Sequence, residues 1–61
     1  MDAPRMNTER RTTGEHIGTA LRHTRAACER NLKGEDMATV RREAAQAMAA
    51  LAKIVNGDGH E

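Results

Sequence analysis

The chain has 61 residues, of which 38% are hydrophobic and none is Phe, Trp or Tyr. This length allows one domain at most, which buries only about 60% of its unfolded surface. Ten basic and nine acidic residues give a formal net charge of +1, which excludes the strong overall field of many nucleic-acid-binding or membrane-binding proteins.

Cysteine usage and apolar run length narrow the class of protein further. Cys28 is the sole cysteine, which excludes an internal disulfide framework and fits a reducing cytoplasm. The longest uninterrupted apolar run covers residues 47–52, far shorter than the roughly 20 residues that a transmembrane helix needs. We therefore expect a cytoplasmic protein without a membrane partner.

The first eleven residues have no periodic apolar pattern, and Pro4 disfavours a helix running through it. We predict a flexible N-terminal tail over 1–11. Thr12 and Glu15 then form a T-x-x-E capping box, in which each side chain satisfies a free amide at a helix start. This motif predicts that the first helix begins near Thr12 and covers about 12–33, with Asn7 as a competing cap about a turn earlier.

The apolar face of the first helix is narrow, and we predict that it faces the second helix with Cys28 buried on it. His16, His23 and Arg30 follow one another at seven-residue spacing beside this face. They form either a polar border of the core or a ligand-binding ridge, with a pH-sensitive interface as a further reading. The predicted inward face comprises Ile17, Ala20, Leu21, Thr24, Ala27, Cys28, Asn31 and Leu32.

The sequence NLKGED at 31–36 interrupts the helical pattern. Gly34 suits the left-handed residue that ends a helix, and Glu35 and Asp36 place negative charge where the next helix starts. A connection this short forces the second helix, about 35–56, to lie antiparallel to the first. Asn56 and Gly57 are suited to a helix C-terminus, and we predict a flexible tail over 57–61.

The second helix has two apolar arcs, about twice the roughly 100° that packing against one neighbour requires. The arc of larger residues is predicted to face the first helix, and the adjacent arc of alanines a helix of another copy. The short apolar list makes a lone hairpin unstable, so we expect a homodimeric four-helix bundle or a higher oligomer. The predicted oligomer interface comprises Ala38, Ala45, Ala49, Ala52 and Met48.

Arg41 and Arg42 are the strongest candidates for binding a partner or ligand. Neither has an acidic residue three or four positions away, so ion pairing within the helix does not account for them. Arg41 also interrupts the apolar side of the wheel. It can pair with an acidic residue of the first helix, with Glu43 of a second copy or with an external anion, or it can stay solvated.

No motif in the chain carries recognisable catalytic or metal chemistry. Two turns of helix separate His16 from His23, too far for both to bind one metal ion, and Cys28 lies on a different side from His23. There is no serine and no glycine-rich phosphate loop. We therefore expect a protein that is not an enzyme and that uses neither metal nor cofactor.

The start of the second helix, Val40-Arg41-Arg42-Glu43-Ala44-Ala45 with the alanine-rich run to Ala52, resembles the small phage-encoded helical hairpins that sequester cyclic-nucleotide immune signals. The resemblance covers about a third of the chain and implies that the arginines of the second helix contact phosphate. A dimer of antiparallel hairpins is also similar in architecture to the Rop class of plasmid regulators.

These patterns indicate an all-α hairpin domain over 12–56 that acts by binding. The expected function is that of a small cytoplasmic regulator, adaptor or inhibitor, of phage or plasmid type, that contacts itself and another protein. The alternative is a sponge for small anionic ligands such as cyclic nucleotides, and the third hypothesis is a regulator that binds RNA or DNA.

Overall fold

The computed structural model describes residues 3–57, and the side chains of residues 8–57 among them. It consists of α1, Ala3–Leu32, and α2, Met37–Val55, packed against each other in antiparallel orientation. The predicted all-α two-helix hairpin is confirmed. Within the described part of the chain, neither helix combines the length and the apolar character needed to cross a bilayer.

The start of α1 differs from the prediction, because the helix begins at Ala3 and includes most of the segment predicted to be a tail. Pro4 lies in the first turn, where its missing amide hydrogen costs nothing because the helix has no residue four positions earlier to accept a hydrogen bond. Thr12 lies well inside α1, and its hydroxyl donates a hydrogen bond of 3.0 Å to the Thr8 carbonyl oxygen. The predicted capping box at Thr12 is therefore wrong.

The turn between the helices confirms the role predicted for Gly34. Its φ of 75° is left-handed, and its amide donates to the Asn31 carbonyl oxygen at 3.1 Å. The Glu35 amide donates to the Arg30 carbonyl oxygen at 3.0 Å. These two bonds form a Schellman motif, which satisfies the last carbonyls of α1 and reverses the chain within a few residues.

Both ends of α2 are also closed by backbone hydrogen bonds. The Asp36 carbonyl oxygen accepts from the amides of Thr39 and Val40 at 3.0 and 3.3 Å. At the other end Gly57 adopts a φ of 80° and donates to the Ile54 carbonyl oxygen at 3.1 Å. Residues 1–2 and 58–61, which complete the two predicted tails, lie outside the described residues.

The two helices meet along a line of small and polar side chains, which we call the hairpin seam. Its buried members are Ala20, Ala47 and Ala50, each about 5% exposed. Alanine lets two helix axes approach closely, because little side chain separates the backbones. The partly buried side chains that continue the seam are His16, His23, Ala27 and Arg30 in α1, and Val40, Glu43 and Ile54 in α2.

The face that α1 turns toward α2 is rotated from the predicted one by one residue position, or about 100°. Ala20 points inward as predicted, but Ile17 and Leu21 are half exposed and Leu32 is 79% exposed. Cys28 is also exposed, so the prediction of a buried thiol is wrong. The physical reason is that α1 carries two adjacent lines of residues at heptad spacing, one through Ala20 and one through Leu21. The line through Ala20, which is the less apolar of the two, packs against α2.

The larger residues of α2 divide between two faces, whereas the sequence predicted that they share one. Those at the hairpin seam are Val40 and Ile54. Those left exposed are Met37, Met48, Leu51 and Val55. The prediction that all of them face α1 is therefore wrong for the second group.

The hairpin is a single layer of helices. Its Cα atoms extend over 51 × 16 × 9 Å, so the chain is long, two helices wide and one helix thick. Stable domains ordinarily bury their apolar surface between two packed layers. In this chain each helix has one neighbour, and α1 with 30 residues is considerably longer than α2 with 19.

Candidate binding surfaces

The exposed large hydrophobic residues gather on one side of the hairpin. Antiparallel neighbours are related by an approximate two-fold axis perpendicular to the layer, so equivalent positions beside the seam lie on the same side. Six of these residues follow the seam by about 100°, whereas Leu32, two positions after Arg30, lies further round α1. We call this surface the apolar stripe: Ile17, Leu21, Leu32, Met37, Met48, Leu51 and Val55, with exposures from 46 to 83%.

The heptad line that carries most of the apolar stripe repeats the spacing of the hairpin seam, one position later in each helix. In α1 the seam positions 16, 20, 23 and 27 are followed by 17, 21, 24 and 28; in α2 the positions 43, 47, 50 and 54 are followed by 44, 48, 51 and 55. Each helix therefore carries two heptad lines. A helix of a four-helix bundle needs two such lines, because it packs against two neighbours.

A polar network joins the helices near the turn end of the seam. The ring nitrogen Nδ1 of His23 donates to Glu43 Oε1 at 2.7 Å, and Arg30 Nη1 donates to Glu35 Oε1 at 3.1 Å. Arg30 Nε lies 3.5 Å from Glu43 Oε2, which is an ion pair, but this buried nitrogen has no hydrogen bond. Arg30 therefore links α1, the turn and α2.

The network lowers the pKa of the Glu43 carboxyl below its ordinary value. The hydrogen bond from His23 is the main cause; partial burial opposes it, and the charges of His23 and Arg30 add to it. A carboxylate that accepts such bonds is favoured in its charged form. Glu43 is therefore a charged group held in the seam.

The predicted ligand-binding row does not form a ridge on the outside of α1. His23 and Arg30 converge on Glu43 at the seam, where both are partly buried. His16 lies two turns from His23, at a shallow groove on the side opposite to the apolar stripe. The groove is lined by Glu15, His16, Thr19, Gln46, Ala49, Ala50 and Lys53.

Arg41 and Arg42 are both exposed, and neither has an ion pair or hydrogen bond within residues 8–57. Adjacent positions diverge by about 100° on a helix. Arg41 borders the apolar stripe, while Arg42 lies on the opposite side of the hairpin. The two arginines therefore do not converge on one small ligand within a single chain.

The predicted oligomer interface falls on two different surfaces. Met48 belongs to the apolar stripe and is 70% exposed. The four alanines lie on the outer side of α2, turned away from α1, and all are exposed: Ala38, Ala45, Ala49 and Ala52.

The side opposite the apolar stripe carries a charged surface that sequence reasoning missed. We call it the basic face: Arg11, Arg22, Arg25, Lys33, Arg42 and Lys53, together with the acidic residues Glu15 and Glu29, all exposed. The net charge of +1 concealed it, because other acidic residues lie in the turn, in the seam and near the chain ends. The signal in the sequence was the helical spacing of the basic residues, which places them on one side once the residues that face the other helix are known.

Within the described residues, no group of three or more His, Cys, Asp or Glu side chains is placed to hold a metal ion. The chain matches no known family model, no curated protein and no solved structure.

Proposed function

We propose that the chain is a non-enzymatic binding protein that works as a homodimer, in which the apolar stripes of two hairpins meet to form a four-helix bundle. The observation that carries the proposal is the position of the largest apolar side chains. They lie on one side of a one-layer structure. Those of α2 recur at the heptad spacing that a second pair of helices requires, as do Ile17 and Leu21 of α1, whose line continues with Thr24 and Cys28.

The magnitudes favour association through this side. Full burial of a Leu, Ile or Met side chain is worth about 1.5–3 kcal/mol, so a side chain that remains half exposed still has roughly 1 kcal/mol to gain. Each alanine buried in the seam contributes only about 0.8 kcal/mol for its methyl group. The larger apolar gain therefore lies between copies of the chain.

A dimer of this kind would act as a regulator, adaptor or inhibitor through contacts with a macromolecule. The divergence of Arg41 and Arg42 supports this over capture of a small anion, because a compact ligand is best held by donors that converge on it. The outer surfaces of the two hairpins remain free for the partner when the apolar stripes are covered.

Sedimentation analysis at micromolar concentration tests the dimer. We expect a mass of twice 6.7 kDa for the wild type. Met48→Glu combined with Leu51→Glu is expected to give a monomer, since the dimer would have to bury unpaired carboxylates. The matched control is Ala45→Glu with Ala49→Glu, which places the same two charges on the outer side of α2 and is expected to leave the dimer intact.

Two results contradict the proposal. One is a wild type that is folded by circular dichroism and sediments as a monomer. The other is the reverse pattern, in which the Ala45 and Ala49 variant is monomeric while the Met48 and Leu51 variant still dimerises. That pattern would assign the interface to the alanine row instead.

A further inference from the structure

Charge is unevenly distributed around the hairpin. Among the side chains that the structure describes, six of the nine Lys and Arg residues lie on the basic face, with two of the six Asp and Glu residues. The compensating acids that the structure describes are mostly elsewhere: Glu35 and Asp36 follow the turn, and Glu43 is held in the seam. A chain that is nearly neutral overall therefore presents one strongly positive side.

The hydrogen bond between His23 and Glu43 fixes how the basic residues of the two helices line up. Arg22 and Arg42 each precede one of these bonded residues by one position. Both therefore turn to the same side, about 100° from the seam, at the same level along the hairpin. Arg25 lies about one turn further along α1, at the outer edge of this side, where it lines a shallow groove with Arg22, Leu21 and Glu29.

The six basic side chains are available to a partner. All are exposed, and within residues 8–57 none of them forms an ion pair or a hydrogen bond. Where arginines have partners in this chain, as Arg30 does, the contacts are made at the seam and the turn. The guanidinium group is suited to phosphate because its donors form a planar fork.

We propose that the basic face binds the phosphate backbone of duplex DNA. From Arg11 in α1 to Lys33, the residue directly after α1, the face spans 22 positions, about 33 Å at 1.5 Å per residue. This span is close to one turn of B-form DNA, about 34 Å. A partner with regularly spaced phosphates over that distance matches the charges, whereas a single nucleotide meets only two or three of them.

The composition of the chain selects duplex DNA over single strands. Proteins that bind single-stranded nucleic acid stack bases on aromatic side chains, and this chain has no Phe, Trp or Tyr. Contacts to phosphate position a protein on a duplex without reading its sequence. The expected binding is therefore independent of sequence and strongly dependent on salt.

The inference goes beyond the proposed dimer and does not depend on it, because the basic face and the apolar stripe lie on opposite sides of the hairpin. In a dimer that buries both stripes, the two basic faces point outward in opposite directions. Each can meet its own DNA segment.

Fluorescence anisotropy with a labelled DNA duplex of about two helical turns tests the inference. We expect binding at low salt, with affinity falling by about two orders of magnitude between 50 and 200 mM salt for four or five phosphate contacts. Arg22→Gln combined with Arg42→Gln is expected to weaken binding and to reduce the salt slope by about two. The control, Arg10→Gln with Arg41→Gln, removes the same charge off the basic face and is expected to keep the wild-type slope.

Several results would overturn the assignment. They are no binding to the duplex at low salt, equal losses in the two double variants, or tighter binding at the same salt to an RNA duplex, a single strand or a mononucleotide. Sedimentation of the same samples separates this inference from the dimer. Absent DNA binding by an intact dimer overturns only the basic face, and DNA binding by a folded monomer overturns only the dimer.

Discussion

The hairpin seam and the apolar stripe run side by side along the same two helices, yet they differ in the residues that they contain. The buried residues of the seam are Ala20, Ala47 and Ala50, beside the bonded pair His23 and Glu43, and its larger apolar members Val40 and Ile54 are only partly buried. The stripe contains only large apolar side chains. The contact that defines the hairpin is therefore close and directional, but it buries little apolar surface.

The seam therefore sets the geometry of the hairpin, whereas most of the large apolar side chains lie outside it. The alanines set how closely the helices approach, and the polar network, with the Gly34 turn, sets the register between them. These features determine where the large side chains lie without burying them. A substitution at the seam should therefore change the stability of the hairpin more than the same substitution at an exposed position nearby.

The largest expected effect on the stability of the hairpin comes from placing a large apolar side chain in the seam. Ala50 is 5% exposed between the helices, so Ala50→Leu has to push them apart. Such overpacking costs about 1–3 kcal/mol in the free energy of unfolding. Ala49→Leu adds the same atoms at the adjacent, exposed position and is expected to change stability by less than about 0.5 kcal/mol. Urea unfolding of both variants measures the difference, and equal stabilities would show that the seam is not closely packed.

An intermediate effect is expected at the turn that sets the register of the seam. Gly34 has a φ of 75°, and a Cβ added there meets nothing within 4 Å. Gly34→Ala is expected to cost about 1 kcal/mol, since only the backbone conformation opposes it. Gly18 also has open space but lies within α1, so Gly18→Ala is expected to stabilise by up to about 1 kcal/mol. Thermal unfolding measures both, and shifts of the same sign would refute the role given to Gly34.

The smallest expected effect is the pH dependence of stability that comes from the Glu43 carboxylate in the seam. Because the folded pKa of Glu43 is lowered from 4.5, its contribution to stability is fully present above pH 4.5 and is lost as the pH falls through the lowered value. Urea unfolding between pH 3 and 7 should therefore show a decrease below 4.5 that Glu43→Gln reduces. Glu15→Gln, at an exposed position outside the network, is the control. A wild-type profile that matches that of Glu43→Gln would contradict the network.

The sequence predicted the elements well where local chemistry determines them. Gly34 and the short loop were enough for the turn and the antiparallel arrangement, since few residues accommodate a positive φ. The start of α1 was missed because Pro4 was treated as a barrier and Thr12 as a cap. A proline in the first turn is compatible with a helix, and a threonine hydroxyl can bond back to the preceding turn.

The candidate surfaces were harder to predict, because two heptad lines lie one position apart and periodicity cannot decide which one the neighbouring helix covers. Taking the more apolar line as the inner one placed Ile17, Leu21 and Cys28 inside, whereas the structure leaves them exposed. The same choice put His23 and Arg30 at a border rather than at Glu43. The basic face becomes visible only when this assignment is corrected.

Because the helices differ in length, the local stability of α1 varies along its axis. With 30 residues against 19, α1 extends past the end of α2, so its first ten or so residues have no helix beside them. A helical segment of that length is marginal in water by itself, because nucleation is costly, and it persists by propagation from a part that is already ordered. The protection of backbone amides should therefore decline along α1 from Ala20 toward Ala3. Amide protection at the outer end of α1 then indicates whether a partner is bound there. A partner that covers this end extends the protected part of the helix without changing the fold of the hairpin.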